Sequence, residues 1–227
     1  MSEAHQIHQT QKAANSSQMR SVDVAVIGGG IAGKACALGM AQLGLQTVEI
    51  APDLGQATPS PQGPQWGQRI YAFSPSTQKL LAHLQVWDAL DHHRLQVVRD
   101  MRIYGDRGEK NDHLHLSAFE AGTKQLAWIG ESNLIEHTLD QASRFQNKLE
   151  RIADVVEKIG FESDKTILHL KNGSIIQAQL VIAADGANSP TRSELGINAS
   201  EESYSQSAVV ANWICTYPHL ETAFQWF

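Results

Sequence analysis

The segment from Val22 to Ala51, VDVAVIGGGIAGKACALGMAQLGLQTVEIA, constrains the fold most strongly. It begins with a continuously apolar run, which is typical of a parallel strand that is buried on both faces. Three glycines spaced G-x-G-x-x-G then open an apolar helix pattern, and a second apolar run follows. A strand, a helix and a strand within about 30 residues form a βαβ unit. We therefore predict an α/β chain with a Rossmann-like parallel sheet.

The glycine motif predicts a dinucleotide site at the start of the helix. Gly28 permits the tight turn out of the strand, Gly30 lets the backbone approach a diphosphate, and Gly33 lets the helix pack closely. The free backbone N–H groups of the first helical turn, which includes Ile31 and Ala32, favour negative charge. We predict that these five residues bind the diphosphate of the cofactor.

An acid about 20 residues beyond such a motif usually binds the ribose hydroxyls. Glu49, near the end of the second predicted strand, is our candidate for this role. Lys34, one residue past Gly33, is predicted to be a solvated lysine on the polar face of the helix rather than a phosphate ligand. Gly44 is predicted to end this helix.

Further elements are predicted on both sides of the chain's midpoint. Ser74 is expected to cap a helix that runs to Leu90, with Pro75 at its first position. The segment ESNLIEHTLDQASRF predicts another helix, and Asn172-Gly173 predicts a hairpin with a type I′ turn. The segment LVIAADGANSPTR predicts a second buried strand, a tight turn and a helix start at Ser189-Pro190.

Composition excludes several classes of function. The net charge of -6 makes a nucleic-acid partner unfavourable. The two cysteines, Cys36 and Cys215, form no C-x-x-C pair, and we expect reduced thiols. His113 and His115 alternate with leucines along one predicted strand, and without a third ligand nearby we expect a sheet surface rather than a metal site.

Neither a membrane span nor a signal peptide is predicted. The apolar runs fall short of the roughly 18 residues that a membrane span needs. The first twenty residues are polar and are expected to form a disordered tail.

Two later motifs, GQRIYAFSPSTQKLLAHLQVWDAL and ADGANSPTR, make the interpretation more specific. Together with the glycine motif they resemble the class A flavoprotein aromatic hydroxylases, and within them the ubiquinone-biosynthesis hydroxylase family. The resemblance covers about residues 21–227. It implies FAD as cofactor, NAD(P)H as co-substrate, and hydroxylation by O₂ of a lipophilic phenol that carries a polyprenyl tail. It requires no catalytic side chain, and we predict none.

The resemblance also implies roles for particular residues. Arg69 would reach FAD near its ribityl and diphosphate groups, although an exposed loop arginine is the alternative. Asp185 and Gly186 would form a turn on the nucleotide side of the site, and Arg192 would pair with Asp185 or bind phosphate; a purely structural turn is the alternative.

Two further expectations concern acids and amides near the cofactor. In the family, the acid that binds the ribose stands at the position that Ala51 occupies in this chain. Glu49 or Asp53 would take its place here, or other groups would hold the ribose. Glu131 and Asn133 occupy positions where the family places polar residues on a helix that faces the cofactor.

The same resemblance predicts the domains. Residues 21–95 and 125–195 would form the FAD-binding domain, 96–124 and 196–227 part of a β-sheet substrate domain, and 1–20 the tail. Family members are nearly twice as long, so we expect a truncated chain. An inactive nucleotide-binding fragment and a plain NAD-dependent oxidoreductase are the alternatives. We expect a cytoplasmic protein that contacts the inner membrane or a biosynthetic complex peripherally.

Overall fold

The computed structural model describes residues 19–54, 66–105, 113–200 and 202–227. The predicted tail, apart from its last two residues, therefore lies outside the described residues. The chain divides into two compact units, Met1–Gln56 with Gln146–Ser200 and Ala57–Phe145 with Glu201–Phe227. The strands are β1 (Met19–Ile27), β2 (Thr47–Ile50), β3 (Ile70–Phe73), β4 (Leu95–Val98), β5 (Asp100–Tyr104), β6 (His113–Ser117), β7 (Ala127–Glu131), β8 (Leu149–Ile152), β9 (Val156–Phe161), β10 (Thr166–Leu170), β11 (Ile175–Ala183) and β12 (Thr222–Trp226). The α-helices are α1 (Ile31–Gln42), α2 (Pro75–His83), α3 (Ser132–Ser143) and α4 (Pro190–Glu194).

The first unit contains a six-stranded sheet with the order β8-β2-β1-β11-β10-β9. The neighbours from β8 to β11 are parallel, whereas β10 pairs antiparallel with both β11 and β9. The predicted βαβ unit is present as β1, α1 and β2. The predicted α/β fold is confirmed, with a parallel sheet that continues into an antiparallel meander.

Both faces of β1 are buried, as its continuous apolar sequence predicts. Ala25 and Ile27 point into a cluster that includes Val48 and Ile50 of β2. On the opposite face, the intervening valines of β1 pack with the apolar side of α1. Burial on both faces explains why this strand carries no polar alternation between Val24 and Ile27.

The second unit contains two three-stranded sheets, β3-β7-β4 and β12-β5-β6. Helix α2 begins as predicted, because the Ser74 side chain accepts a hydrogen bond from Thr77 N at 3.2 Å and Pro75 occupies the first turn. It ends at His83, so the prediction of a helix to Leu90 was wrong. Gln85 has φ 60°, which interrupts the helix before a short 3₁₀ turn at residues 87–89.

The predicted hairpin joins β10 to β11, but its turn differs from the prediction. A type I′ turn needs positive φ at two consecutive residues, and only Gly173 of the pair Asn172-Gly173 has it, at φ 87°. Asn172 instead accepts a hydrogen bond from Ser174 N through its side chain, at 2.8 Å. Gly173 N donates to Leu170 O. The loop is therefore longer than a two-residue type I′ turn, and Gly173 is its residue with left-handed backbone conformation.

Two other regions bear on the predictions. The segment from 207 to 214, which lies in the predicted substrate-domain sheet, has no regular secondary structure, and among the described residues 202–227 only β12 forms a strand. Among the helices in the part of the chain that is described, none is both long enough and apolar enough to cross a bilayer.

Candidate dinucleotide site

In the turn from β1 into α1, a side chain at Gly28 would clash with the neighbouring backbone. Its φ of 122° lies in the region that favours glycine, and a Cβ there would stand 2.2 Å from Ala184 O. Ala184 is held in place because its N–H donates to Ile27 O at 2.7 Å. The end of β11 therefore passes directly beside the glycine turn.

Gly33 is required for a second close approach within the same turn. A Cβ at this position would lie 1.9 Å from Gly28 O and 3.6 Å from the side chain of Ala184. The first turn of α1 thus packs against the backbone that precedes it. The structural roles predicted for Gly28 and Gly33 agree with this geometry.

Gly30 differs from Gly28 and Gly33, because a side chain at this position would point into open space. Apart from its chain neighbours and the backbone of α1, none of the described residues places a heavy atom within 4 Å of the Cβ it would carry. Gly30 is the N-cap of α1 with φ -78° and ψ 178°, no side chain caps the helix, and the first turn contains no acidic residue. The N–H groups at the start of α1, where Ile31 and Ala32 lie, therefore meet an open surface with partial positive charge. This bare helix start fits a diphosphate group.

Lys34 does not take the position predicted for it. Only 5% of the residue is exposed, so the prediction of a solvated lysine was wrong. Gly44 does end α1 as predicted, with φ 87° and its N–H donating to Ala41 O at 2.9 Å.

The end of β2 presents two acids in different surroundings. Glu49 is fully buried, and its Oε2 accepts a hydrogen bond from Arg151 Nε of β8 at 2.8 Å. Ala51 is also buried, whereas Asp53 is exposed. Glu49 therefore has a structural partner inside the sheet, and its contact with a ribose stays a prediction.

The second predicted turn follows β11 in the same unit. The Asp185 carboxylate accepts hydrogen bonds from Ser189 Oγ at 2.5 Å and from Thr191 N at 2.9 Å. Gly186 has φ 89°, which permits the turn. Ser189 caps α4 by accepting from Arg192 N at 2.9 Å, as the Ser-Pro signal predicts. Because Ile27 and Ala183 are paired in parallel register, this turn and the glycine turn leave the sheet at the same edge.

The hydrogen bonds at Asp185 stabilise its charged form. Burial acts to raise the pKa of Asp185, but the bonds from Ser189 and Thr191 outweigh it, so the pKa lies below its ordinary value. The carboxylate thereby ties the turn to the start of α4. This geometry supports the structural function of the turn, and it leaves the role of Asp185 toward a nucleotide as a prediction.

Arg69 lies in the second unit, immediately before β3. It is exposed, and its guanidinium stacks over the Tyr71 ring with 5.4 Å to the ring centroid. Its backbone oxygen accepts from Ser132 N at 2.9 Å, so the main chain is anchored where α3 begins. An anchored backbone with an exposed guanidinium suits an arginine that binds phosphate oxygens.

Glu131 and Asn133, at the start of α3, are engaged by the protein itself. The Asn133 side chain accepts from Leu134 N at 3.0 Å. Glu131 is 2% exposed and forms a buried ion pair with Arg94. Glu131 therefore has a structural partner in Arg94, and the expectation that the start of α3 faces the cofactor stays a prediction.

Arg94 was not among the residues predicted from the sequence. It lies in the polar segment DHHR, which resembles an exposed loop, yet it is only 8% exposed. Its partner Glu131 is 37 residues away in the sequence. Because the pair forms only through tertiary packing, neither spacing nor periodicity signals it.

Comparison with known proteins identifies the family. The family described as "FAD binding domain" matches residues 21–224. The chain is 31% identical over 211 residues to 3-demethoxyubiquinol 3-hydroxylase of Escherichia coli K12, covering 90% of this chain and 51% of that protein. It is 27% identical over 203 residues to ubiquinone biosynthesis monooxygenase COQ6 of Caenorhabditis elegans, covering 83% and 43%. The chain spans about half the length of these curated relatives.

Solved structures show the same fold. The p-nitrophenol 4-monooxygenase PnpA of Pseudomonas putida DLL-E4 superimposes with a TM-score of 0.61 and 22% identity, over 78% of this chain and 44% of that one. The probable FAD-dependent monooxygenase pqsL of Pseudomonas aeruginosa gives 0.63 and 17%, over 82% and 48%. The predicted resemblance to flavoprotein hydroxylases is confirmed, and the chain belongs to the FAD binding domain family.

Proposed function

We propose that this protein uses FAD to hydroxylate a lipophilic phenol in ubiquinone biosynthesis, with NAD(P)H as the electron donor and O₂ as the oxidant. The named activities of the E. coli and C. elegans relatives support this proposal. The observation that carries it is the bare start of α1, where Gly30 opens the helix toward free space. The family assignment favours FAD over the alternative of a plain NAD-dependent oxidoreductase.

In this proposal the chain binds and orients the cofactor. The diphosphate lies against the backbone at Gly30, where the N–H groups of Ile31 and Ala32 and the helix dipole stabilise its charge. Arg69 adds a planar guanidinium that can hold phosphate oxygens through two hydrogen bonds. FAD supplies the oxygen chemistry when it is bound, and the protein supplies position and electrostatics.

The remaining predicted residues are proposed to act around this centre. Asp185 and Gly186 shape the turn beside the glycine motif, and Arg192 provides positive charge on α4. Glu49 or Asp53 is proposed to approach the ribose, with Asp53 the more accessible of the two. We propose no side chain as a catalytic acid, base or nucleophile.

The substrate class sets the proposed partners. A phenol with a polyprenyl tail resides in a bilayer, so we propose a cytoplasmic protein that contacts the inner membrane or a biosynthetic complex at its surface. The acidic net charge argues against a polybasic anchor as the means of contact.

The experiment that tests the function measures product formation. The purified protein with added FAD is incubated with NADH or NADPH and a short-chain prenylphenol in air, and the products are analysed by mass spectrometry. We expect a phenol that has gained one oxygen atom, together with oxidation of the nicotinamide. Nicotinamide oxidation that yields only hydrogen peroxide, with the phenol unchanged, would contradict the hydroxylase assignment.

A further inference from the structure

Arg94 and Glu131 form an ion pair that is almost completely removed from solvent. Arg94 Nε lies 2.7 Å from Glu131 Oε1, and Arg94 Nη2 lies 2.9 Å from Oε2. The two side chains are 7% and 2% exposed. The hydrogen bond to Glu131 raises the pKa of Arg94 and outweighs the lowering effect of burial, so the guanidinium is charged. The geometry is the parallel, bidentate arrangement that makes such pairs directional.

The pair also binds the segment that precedes β3. Gly67 N donates to Glu131 Oε2, and the Trp66 ring lies over the Arg94 guanidinium with 4.4 Å to the centroid. A Cβ at Gly67 would approach Glu131 Oε2 and Asn133 Oδ1 to 3.0 Å each. Arg94 thus holds Trp66 through the face of its ring, and Glu131 holds Gly67 through its backbone amide.

Arg69 lies two residues beyond Gly67 and is fixed from the other side. Its carbonyl accepts from Ser132 N, and Ile70 pairs with Glu131 in the antiparallel ladder of β3 and β7. The backbone around Arg69 is therefore attached to Glu131 and Ser132 at Gly67, at Arg69 and at Ile70. The exposed guanidinium extends from a main chain that has little freedom to move.

A stabilising role alone is a weak explanation for this pair. Removing two charges from water costs several kcal/mol per ion, and replacing a buried pair by apolar residues of similar volume is often neutral or favourable. Two charged groups that hold a loop in one conformation provide geometric precision that an apolar contact lacks. The loop that this pair holds is the segment at Trp66 and Gly67.

We propose that Arg94 and Glu131 are positioning residues that fix segment 66–69 and thereby hold Arg69 for its proposed contact with FAD. The inference rests on the proposed function, because it assigns a task within FAD binding. It gives Glu131 a role inside the protein, at a position where the family places a polar residue on a helix that faces the cofactor. Neither residue contacts FAD in this account.

The test replaces both charges together, Arg94→Met with Glu131→Leu, so that no unpaired charge remains buried. A pocket of about 140 Å³ lined by residues such as Ile70 and Ile129 gives the new side chains room to repack. The matched control makes the same two substitutions at the exposed pair of the same unit, Arg99→Met with Glu221→Leu. Thermal unfolding and circular dichroism establish that each variant is folded.

Two readouts distinguish positioning from a structural role. The first is the dissociation constant for FAD, which we expect to rise about tenfold or more in the double variant, as loss of supporting contacts typically causes. The second is the rate of tryptic cleavage after Arg69 in the cofactor-free protein, which we expect to rise several-fold. The control variant should match the unmodified protein in both. A folded double variant with unchanged affinity and unchanged cleavage would overturn the inference.

A second variant keeps the test decisive if the double variant does not fold. Trp66 is 52% exposed, so Trp66→Leu should leave the fold intact while it releases the segment from Arg94. We expect faster cleavage after Arg69 and weaker FAD binding, and no change in either would count against the proposal. If the unmodified protein binds no FAD, the proposed function fails, whereas the cleavage rate still reports on the positioning of segment 66–69.

Discussion

Gly33 and Gly28 are in such close contact that a Cβ on Gly33 would lie 1.9 Å from the backbone oxygen of Gly28. No real Cβ approaches an oxygen this closely, and the atom it would meet belongs to the main chain, which cannot rotate away. The entry into α1 is therefore possible only with glycine at position 33. The first prediction follows from this contact.

Gly33→Ala should destabilise the fold by about 3 kcal/mol, the upper end of the usual cost of overpacking, because the turn must open to admit the methyl group. Urea-induced unfolding followed by circular dichroism measures the change. Gly30→Ala is the matched control, since its methyl group meets open space and should cost less than about 1 kcal/mol. Equal stability of the two variants would show that the close approach is not a feature of the protein in solution.

Arg69→Ala should weaken FAD binding by about tenfold while it changes stability by no more than about 0.5 kcal/mol. The side chain is exposed, so its removal leaves no buried group without a partner. Fluorescence titration of FAD measures the affinity, and Arg99→Ala, an exposed arginine of the same unit, is the control. If Arg69→Ala instead unfolds the protein, Arg69 is a structural residue and its assignment to the cofactor is wrong.

Asp185 should make stability depend on pH in the acidic range. Its folded-state pKa is lowered, so its carboxylate stabilises the fold above the unfolded pKa of about 3.9, and this contribution is lost as pH falls through the folded pKa. The free energy of unfolding should therefore differ more between the protein and Asp185→Asn at pH 6 than at pH 3. Ser189→Ala, which removes one donor to the carboxylate, should show a weaker pH dependence than the unmodified protein. A difference that is the same at both pH values would refute this account of Asp185.

Arg151→Met should cost about 2–3 kcal/mol of stability, because it leaves the Glu49 carboxylate buried without its guanidinium. Adding Glu49→Leu to this variant should restore much of the loss, since the carboxylate that lost its guanidinium is then removed as well. The comparison of the single and double variants in urea measures the effect. If the single variant is as stable as the unmodified protein, the ion pair between β2 and β8 contributes nothing measurable.

The features that sequence predicted well are local. The βαβ unit, the three glycines and the caps at Ser74 and Ser189 each depend on residues a few positions apart, and their physical causes are visible in the sequence. The predicted caps at Ser74 and Ser189 and the close approaches at Gly28 and Gly33 agree with the distances found there.

The features that sequence missed depend on distant residues. Burial of Arg94 accompanies its pairing with Glu131 at the end of β7, and Lys34 is buried although it was predicted on the polar face of the helix. The hairpin after β10 was predicted, but its turn type was wrong because the Asn172 side chain bonds to its own loop. Local signals therefore located the candidate site, whereas tertiary contacts determined which polar residues remain available to a ligand.

The most direct test of the account is an FAD titration of the unmodified protein and of Gly30→Val, side by side. Valine is compatible with the extended backbone of Gly30, and a Cβ there approaches none of the described residues beyond its chain neighbours and the backbone of α1, so we expect the variant to fold with the same thermal stability. Its side chain would fill the space proposed for the diphosphate. We expect saturable binding of FAD, with a shifted flavin absorption spectrum, to the unmodified protein and no detectable binding to the variant. Equal FAD affinity of the two proteins would contradict the claim that the diphosphate lies at the start of α1.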